Sequence, residues 1–548
     1  MELLSKNIST EVLDHHGLVA AKCKDLNLSD VIDLRLGKQD SRRIVSTGKA
    51  CVAMILNGLG FTNRRLYLTP QFFENKPVDL LLGEGIEARH LNDDCLGDAL
   101  DAISEYGASK LFGEVAFEIA QKEDLLNNVY HVDTTSFSLH GQYNNVQDEP
   151  STIEVTQGYS KANRPDLKQV ILSLVVNGKS GVPLWMQPCD GNASDRVTLP
   201  ETIERVEAFC KNIDLGGKFK WIADSALYSA ERLLKHNDYL WLCRVPEIVK
   251  EAKDLVHKHK DTIEWQVYND GYSTFGTTSE YGGVKQRWVL IFSQQAYARE
   301  KITFEKRLKK QAAELEKSLW HLKAQTFGCS ADALSQLTDL QKKYPCFIIK
   351  HTIELLEKFD KKGRPKLGDA KKIVGYQIVG TYENNQEKID EKLHAKGRFI
   401  LATNDLNTTD YPDSLILEEY KQQQKVENGF RFLKDPWFMV DSIFLKSPKR
   451  IEALMMVMTL CLFIYQISQY ELRKLLIEQN KTLPNQAGKE IQNPTMRWVF
   501  QIMEGIAVVK IQDSSAHVCH KFISNITDVR RKIITLFGSN ACIIYGFA

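Results

Sequence analysis

Three acidic residues stand where a carboxylate needs a reason. Asp133 lies in VYHVDTTSFSLHG, whose β-branched and aromatic residues mark a largely buried strand. Asp224 closes the strand-like run KWIA, and Glu427 sits in LEEYKQQQKVENGFRFLKD, which has helical spacing. If the two aspartates occupied neighbouring strands, carboxylates ~4 Å apart would repel by ~1 kcal/mol in a water-like dielectric and by more in a cleft. A pair of that kind normally binds a cation, and Mg²⁺ is the hard ion content with a few carboxylates, waters and phosphate oxygens.

Spacing supplies the surroundings of the third carboxylate. Tyr420, Gln423, Glu427 and Lys434 fall within a sector of roughly 60° on one continuous helix at ~100° per residue, and Arg431 joins that face. A phenol, an amide and two cations would then flank the carboxylate. Each residue also has a plainer use: Asp133 can cap a strand end, and Glu427 with Arg431 can form an i,i+4 surface pair.

The elements that must position these residues follow from the pattern. Residues 1–120 read as mostly helical, with no competing strand pattern and with apolar spacing in ACVAMILNGLGF and CLGDALDAISEYGASKLFGEVAFEIAQ. From Asn127 the order becomes β-β-β-α-β-α-β: VYHVDTTSFSLHG, LKQVILSLVV and VPLWMQPCDG as an antiparallel meander, then LPETIERVEAFCKNI, FKWIADS, SAERLLKHN and DYLWLCRVP. Ribonuclease H-like cores have this order, and it places the Asp224 strand beside the Asp133 strand. Such a core needs one more helix beside its sheet, and none is evident directly after Pro246. Residues 247–397 read as an α+β insertion, β-rich at Ile263 to Gln294, with a charged helix from Arg299 to Lys323, a second helical stretch and the basic loop KKGRPKLG. GRFILATN returns the chain to the core, and a helix beginning at Ser414 carries Glu427. The expected organisation is a mixed α/β chain: a helical N-terminal domain (1–120) assigned to DNA, a ribonuclease H-like core in two parts (125–246 and 398–475), the insertion (247–397) and a C-terminal domain (476–548).

With 548 residues, 43% hydrophobic and 26% charged, the chain has a globular composition. A formal charge of +1 means that any nucleic-acid contact must come from local basic faces such as Arg42-Arg43, Arg64-Arg65, Lys306-Arg307 with Lys309-Lys310, and Lys361-Lys362 with Arg364 and Lys366. The eleven cysteines include no C-x-x-C pair, and His517, Cys519 and His520 lack a second ligand pair at zinc spacing. The apolar run Leu454 to Ile467 is shorter than a membrane span and reads as a buried core helix; no signal peptide is evident, and a cytoplasmic, nucleoid-associated location is expected. Trp265 and Trp288 read as core residues that could alternatively stack on a base.

The run Tyr-x2-Gln-x3-Glu-x6-Lys resembles the signature of the DDE transposases of bacterial insertion sequences, in the branch with an inserted domain. The similarity extends through YHVDTTSFSLHG, GYSKANRPDLKQV, GNASD, WIADSALYS and LCRVP, and so covers nearly the whole chain. One position departs: the signature's arginine is Gln423, which can hydrogen-bond a phosphate but cannot neutralise it. The resemblance implies that Asp133, Asp224 and Glu427 hold two Mg²⁺ (or Mn²⁺) ions. It also implies that Tyr420 and Lys434 contact transposon-end DNA. Gln423 and Arg431 on the same helix face are further candidate DNA contacts, and Arg244 at its strand end could grip phosphate or form a structural ion pair. Lys161, Arg164, Asn192 and Asp195 match family positions, where Asn192 and Asp195 serve a turn and a helix cap equally well. The implied activity is metal-dependent cleavage at the element's terminal inverted repeats and strand transfer into target DNA, by a homodimer when two ends are synapsed. A ribonuclease H-like nuclease without strand transfer and an inactive DNA-binding derivative are the alternatives.

Overall fold

The computed structural model describes residues 7–37, 43–61, 66–141, 143, 153–160, 164–268, 271–359, 371–435, 438, 445–512 and 518–547. Arg42, Arg64, Arg65, Lys161, His517 and the KKGRPKLG loop lie outside them. The chain forms two compact units, Met1–Leu242 with Glu419–Ala548, and Cys243–Glu418.

The first unit carries the expected meander. β1 (Val129–Leu139) pairs antiparallel with β2 (Lys168–Asn177), and β2 pairs antiparallel with β3 (Pro183–Cys189). The turn between β2 and β3 places Gly181 at φ +72°, a backbone that favours glycine. After α1 (Asp195–Asn212), which packs on β1, the chain returns as β4 (Lys220–Ala223), parallel to β1 on its other side. β5 (Leu240–Val245) follows β4 in the sheet, and on it the chain leaves this unit. The order β3-β2-β1-β4-β5 is that of a ribonuclease H-like core.

Three differences from the sequence expectation arise here. The helix from Ser414 is not continuous: it divides into α2 (Asp413–Lys421) and α3 (Gln424–Leu433). The amides of Gln422 and Gln423 bond three residues back, to Glu419 O and Tyr420 O at 3.0 Å each, so the ladder tightens into a 3₁₀-like turn. The apolar helix is longer than its apolar run: α4 (Pro448–Glu478) spans 31 residues. By length and composition α4 could cross a membrane, but 89% of its most apolar window is buried inside the protein. It packs against the N-terminal helices Thr47–Leu59, Asp93–Tyr106 and Ala108–Lys122, as an all-round apolar helix must. The N-terminal region is not wholly helical either. Asn7–Val12 is a strand paired antiparallel with Ala507–Gln512, which in turn pairs with Val518–Ser524.

In the second unit the strands Arg398–Thr403, Val284–Ser293, Tyr272–Tyr281 and Gln266–Tyr268 lie side by side in that order. A helix absent from the sequence expectation, Lys250–His257, does follow Pro246. The charged helix runs from Gln294 to Ala324, and Ser330–Lys343 is the second helical stretch. Beyond it the chain forms a long antiparallel hairpin, Phe347–Phe359 with Lys371–Asn384, where no strand was expected. Trp288 is buried, its indole N–H donating to Gln286 at 3.0 Å, so it belongs to this unit's core.

Candidate active site

β1 and β4 set the two aspartates. Their parallel register pairs Val129 with Lys220, Tyr130 with Trp221 and His131 with Ile222. Asp133 lies two residues beyond the last of these pairs on β1, and Asp224 two residues beyond it where the chain leaves β4, so the aspartates follow equivalent points on adjacent strands. Asp224 keeps extended backbone (φ −74°, ψ −171°) past the end of β4, and its Oδ1 accepts from Ala226 N at 2.8 Å, capping the short helical turn Ser225–Leu227. The Asp133 carboxylate accepts from its neighbour's backbone, Thr134 N, at 2.7 Å. Thr134 points to the other face of β1, where its hydroxyl donates to the Asp195 carboxylate at the start of α1. Asp195 therefore supports the Asp133 strand from behind.

α3 lies along the Asp133 face of β1, held at both ends. At its start, Gln423 is 8% exposed, its amide N–H₂ donates to Val132 O at 3.1 Å, and its Oε1 accepts from His131 Nδ1 at 3.0 Å. At its end, the Lys434 ammonium lies 5.6 Å from the centre of the Phe137 ring. His131, Asp133 and Phe137 alternate onto one face of the strand. Glu427 is one turn beyond Gln423, a rise of ~6 Å; Asp133 is two residues beyond His131, an advance of ~6.6 Å. Glu427 therefore lies on α3 between two ends that are both held against β1. Gly429 allows the close packing: a Cβ there would meet Leu462 at 3.1 Å and Leu174 at 3.6 Å.

The Glu427 side chain is exposed and forms no hydrogen bond or ion pair among the described residues, so the surface pair with Arg431 does not form. Nor does it join the aspartates: among the described residues no three His, Cys, Asp or Glu side chains group closely enough to hold a metal ion. The structure thus does not show the expected convergence of the three carboxylates among the described residues. Repulsion among three like charges opposes closer approach.

The remaining candidates are placed as follows. Tyr420 ends α2 and is partly buried; because the helix breaks after it, the single-face geometry does not carry through to Gln423. Next to it, Glu419 pairs with Lys220 of β4 at 3.3 Å, tying the end of α2 to the Asp224 strand. Gln423 is occupied by β1, which differs from the phosphate-facing amide expected from the sequence. Arg431 is exposed on α3. Arg244 lies in the second unit, its guanidinium 5.3 Å from the centre of the Phe399 ring. Arg164 is held by a two-pronged bond to Asp166, at 2.8 and 2.7 Å. Asn192 belongs to a loop packed on β2: a Cβ on Gly191 would lie 2.0 Å from Gln169 O. Two contributors were missed. His131, fully buried, has its pKa pushed down to about 4 by burial and is therefore neutral; Lys425 donates to Gly178 O and Lys179 O, the latter at 3.2 Å. The signal for His131 was its period-2 spacing from Asp133.

A family model described as a transposase DDE domain matches residues 126–464, more than half the chain and the whole span from β1 into α4. The chain belongs to the DDE transposases. A second model, a domain of unknown function (DUF4277), matches residues 8–117 of the N-terminal region. No curated protein matches the sequence. Among solved structures, the cryo-EM structure of a piggyBac transposase synaptic complex with hairpin DNA aligns over 91% of this chain and 82% of that one, at 10% identity and a TM-score of 0.34. A likeness that loose carries no weight for the site of this transposase.

Proposed function

We propose that this transposase cuts DNA at the ends of its element and joins them to target DNA, with Asp133, Asp224 and Glu427 as its catalytic carboxylates. The reading is supported by the parallel pairing of β1, which carries Asp133, with β4, which leads into Asp224, and by the Gln423 and Lys434 contacts that hold α3, the carrier of Glu427, against β1. Hard carboxylate oxygens on adjacent strands are the donor chemistry of Mg²⁺ or Mn²⁺, and the Glu427 carboxylate has no existing bond to break before contributing. Asp133 and Asp224 would hold the ions and Glu427 would complete the set. Two such ions supply a water nucleophile and stabilise the leaving oxygen at phosphorus.

The chain's own residues supply placement. Asp195, through Thr134, and Gln423, through Val132, brace the strand on either side of Asp133. Lys434, Arg431 and Tyr420 are the groups on or beside the carrier helix suited to gripping phosphate on the strand being cut. The same geometry at phosphorus serves hydrolysis and then attack by the freed 3′-hydroxyl, so one site suffices for both steps. Joining two ends in one event argues for a homodimer on DNA. The full chain, incubated with Mg²⁺, a duplex bearing the inverted repeats that flank its gene and a target plasmid, should release 3′-hydroxyl ends and yield joined products. Cleavage without joining would identify a nuclease, and binding without either an inactive derivative.

A further inference from the structure

Beyond Glu427, the first unit holds a basic cleft that shares Arg431 with the proposed site and continues away from it. A cavity of about 450 Å³ is lined by Lys425 and Arg431 of α3, Arg473 of α4, and Arg497, with Phe432 and Tyr465 among its aromatic walls. An adjoining cavity of about 480 Å³ shares Lys425 and Arg473 and adds Lys179, paired with Asp124, and Lys474, paired with Glu478 on the same wall.

Two of these cations are half-buried and lack a counter-charge. Lys425 bonds only main-chain carbonyls, those of Gly178 and Lys179, and Arg473 donates to Pro494 O at 2.8 Å. Among the described residues neither has a carboxylate within ion-pair distance. Arg431 has no ion pair either, and the acid lining the first cavity, Asp435, is taken by Arg497. Burial lowers the pKa of Lys425 to about 8 and also lowers that of Arg473, the response of a cation removed from water without an anion. Holding such groups is costly, and an incoming anion recovers the cost.

We infer that this cleft is a seat for the phosphates of a DNA strand, extending the path of the substrate past Glu427 along α3 to α4. Three features select this ligand: several cations in a row rather than a single charged point, arginines able to grip phosphate in two-pronged fashion, and aromatic walls against sugar or base. Arg431 is one helical turn beyond Glu427, so a strand entering the active site is already at the mouth of the cleft. The inference rests on the transposase reading for its substrate, and it names Arg473 and Lys425 as contacts that no motif marks.

The test is the salt dependence of duplex binding by the full-length chain, read by fluorescence anisotropy with a labelled duplex of unrelated sequence, for wild type, Arg431→Gln and Arg473→Gln. Each lost phosphate contact should flatten the slope of log affinity against log salt by about 0.9. The double variant should therefore lose close to two units, with circular dichroism and melting midpoint showing that it remains folded. If Arg473→Gln fails to fold, Lys474→Gln takes its place, because Lys474 is exposed, lines the adjoining cavity and has no part in the active site. A wild-type slope in folded variants would overturn the proposal. So would an inorganic phosphate site lost in Arg431→Gln while the duplex slope stayed unchanged, since that marks a small-anion pocket. Cleavage is not the readout: a flattened slope in a chain that cuts nothing keeps the cleft and sinks the chemistry, and joined products with an unchanged slope do the reverse.

Discussion

Gln423 and His131 hold each other: the amide oxygen of Gln423 accepts from Nδ1 of His131 at 3.0 Å in a buried contact between α3 and β1. That bond fixes the ring as the Nδ1–H tautomer, and the Gln423 N–H₂ satisfies Val132 O immediately before Asp133. A neutral clamp thus occupies the position where the signature has an arginine.

Removing the clamp should loosen the carrier helix. Gln423→Ala leaves a buried N–H and a buried carbonyl without partners, a cost of about 1–3 kcal/mol. Urea unfolding should show that loss, and single-turnover cleavage should fall while duplex binding holds. Gln423→Arg restores the signature residue but offers His131 Nδ1–H no acceptor and adds a buried cation. It should be at least as destabilised as the alanine variant; a more stable and more active arginine variant would contradict the clamp.

Stability should fall in mild acid because of histidines in the N-terminal region. His15 is buried, donates from Nε2 to Leu59 O at 2.9 Å and stacks on Phe500, and burial pushes its pKa down to about 4 from 6.5. His16 beside it is pushed down further. A folded pKa below the unfolded one means that the unfolded chain binds the proton first. The stability is complete above pH 6.5, declines below it and levels off near 4 for His15. By pH 5.5 the loss from His15 should be about 1 kcal/mol. Urea midpoints at pH 7.5 and 5.5 check this, and His15→Gln should shrink the difference.

Gly191 should be intolerant of any side chain. A Cβ there would lie 2.0 Å from Gln169 O and 2.5 Å from Thr156 O, both main-chain atoms. Gly191→Ala must therefore shift the loop leading into α1, on which Asp195 braces Thr134. The expectation is a destabilisation of about 2 kcal/mol or more together with reduced cleavage, whereas Gly216→Ala, where a Cβ meets nothing within 4 Å, should change neither.

Much of this was legible in the sequence because its signals are local. The meander showed itself through alternation and the turn NGKSG, and Asp133 and Asp224 through their positions at strands whose order implied adjacency. What escaped depends on distant partners. NISTEV is too short and polar to read as a strand, and its partner Ala507–Gln512 is some 500 residues away. FIIKHTIELLEKF reads as helix or strand alike, because the exposed hairpin it forms has no strong burial pattern. The break before α3 falls where Gln423 bonds His131 and Val132 of β1, a tertiary relation that helical spacing cannot express. The basic cleft is assembled from Lys425, Arg473 and Arg497, and no linear motif joins them.

The most direct test of the carboxylate site is Glu427→Gln in single-turnover cleavage with Mg²⁺, with binding of the same end duplex followed in parallel. The substitution keeps shape and removes a charge that no neighbouring group balances. The account predicts wild-type affinity for the end with cleavage reduced by about 10³-fold or more, the scale on which losing a principal charge-stabilising group acts. Cleavage near the wild-type rate in the folded variant would remove Glu427 from the site and contradict the account.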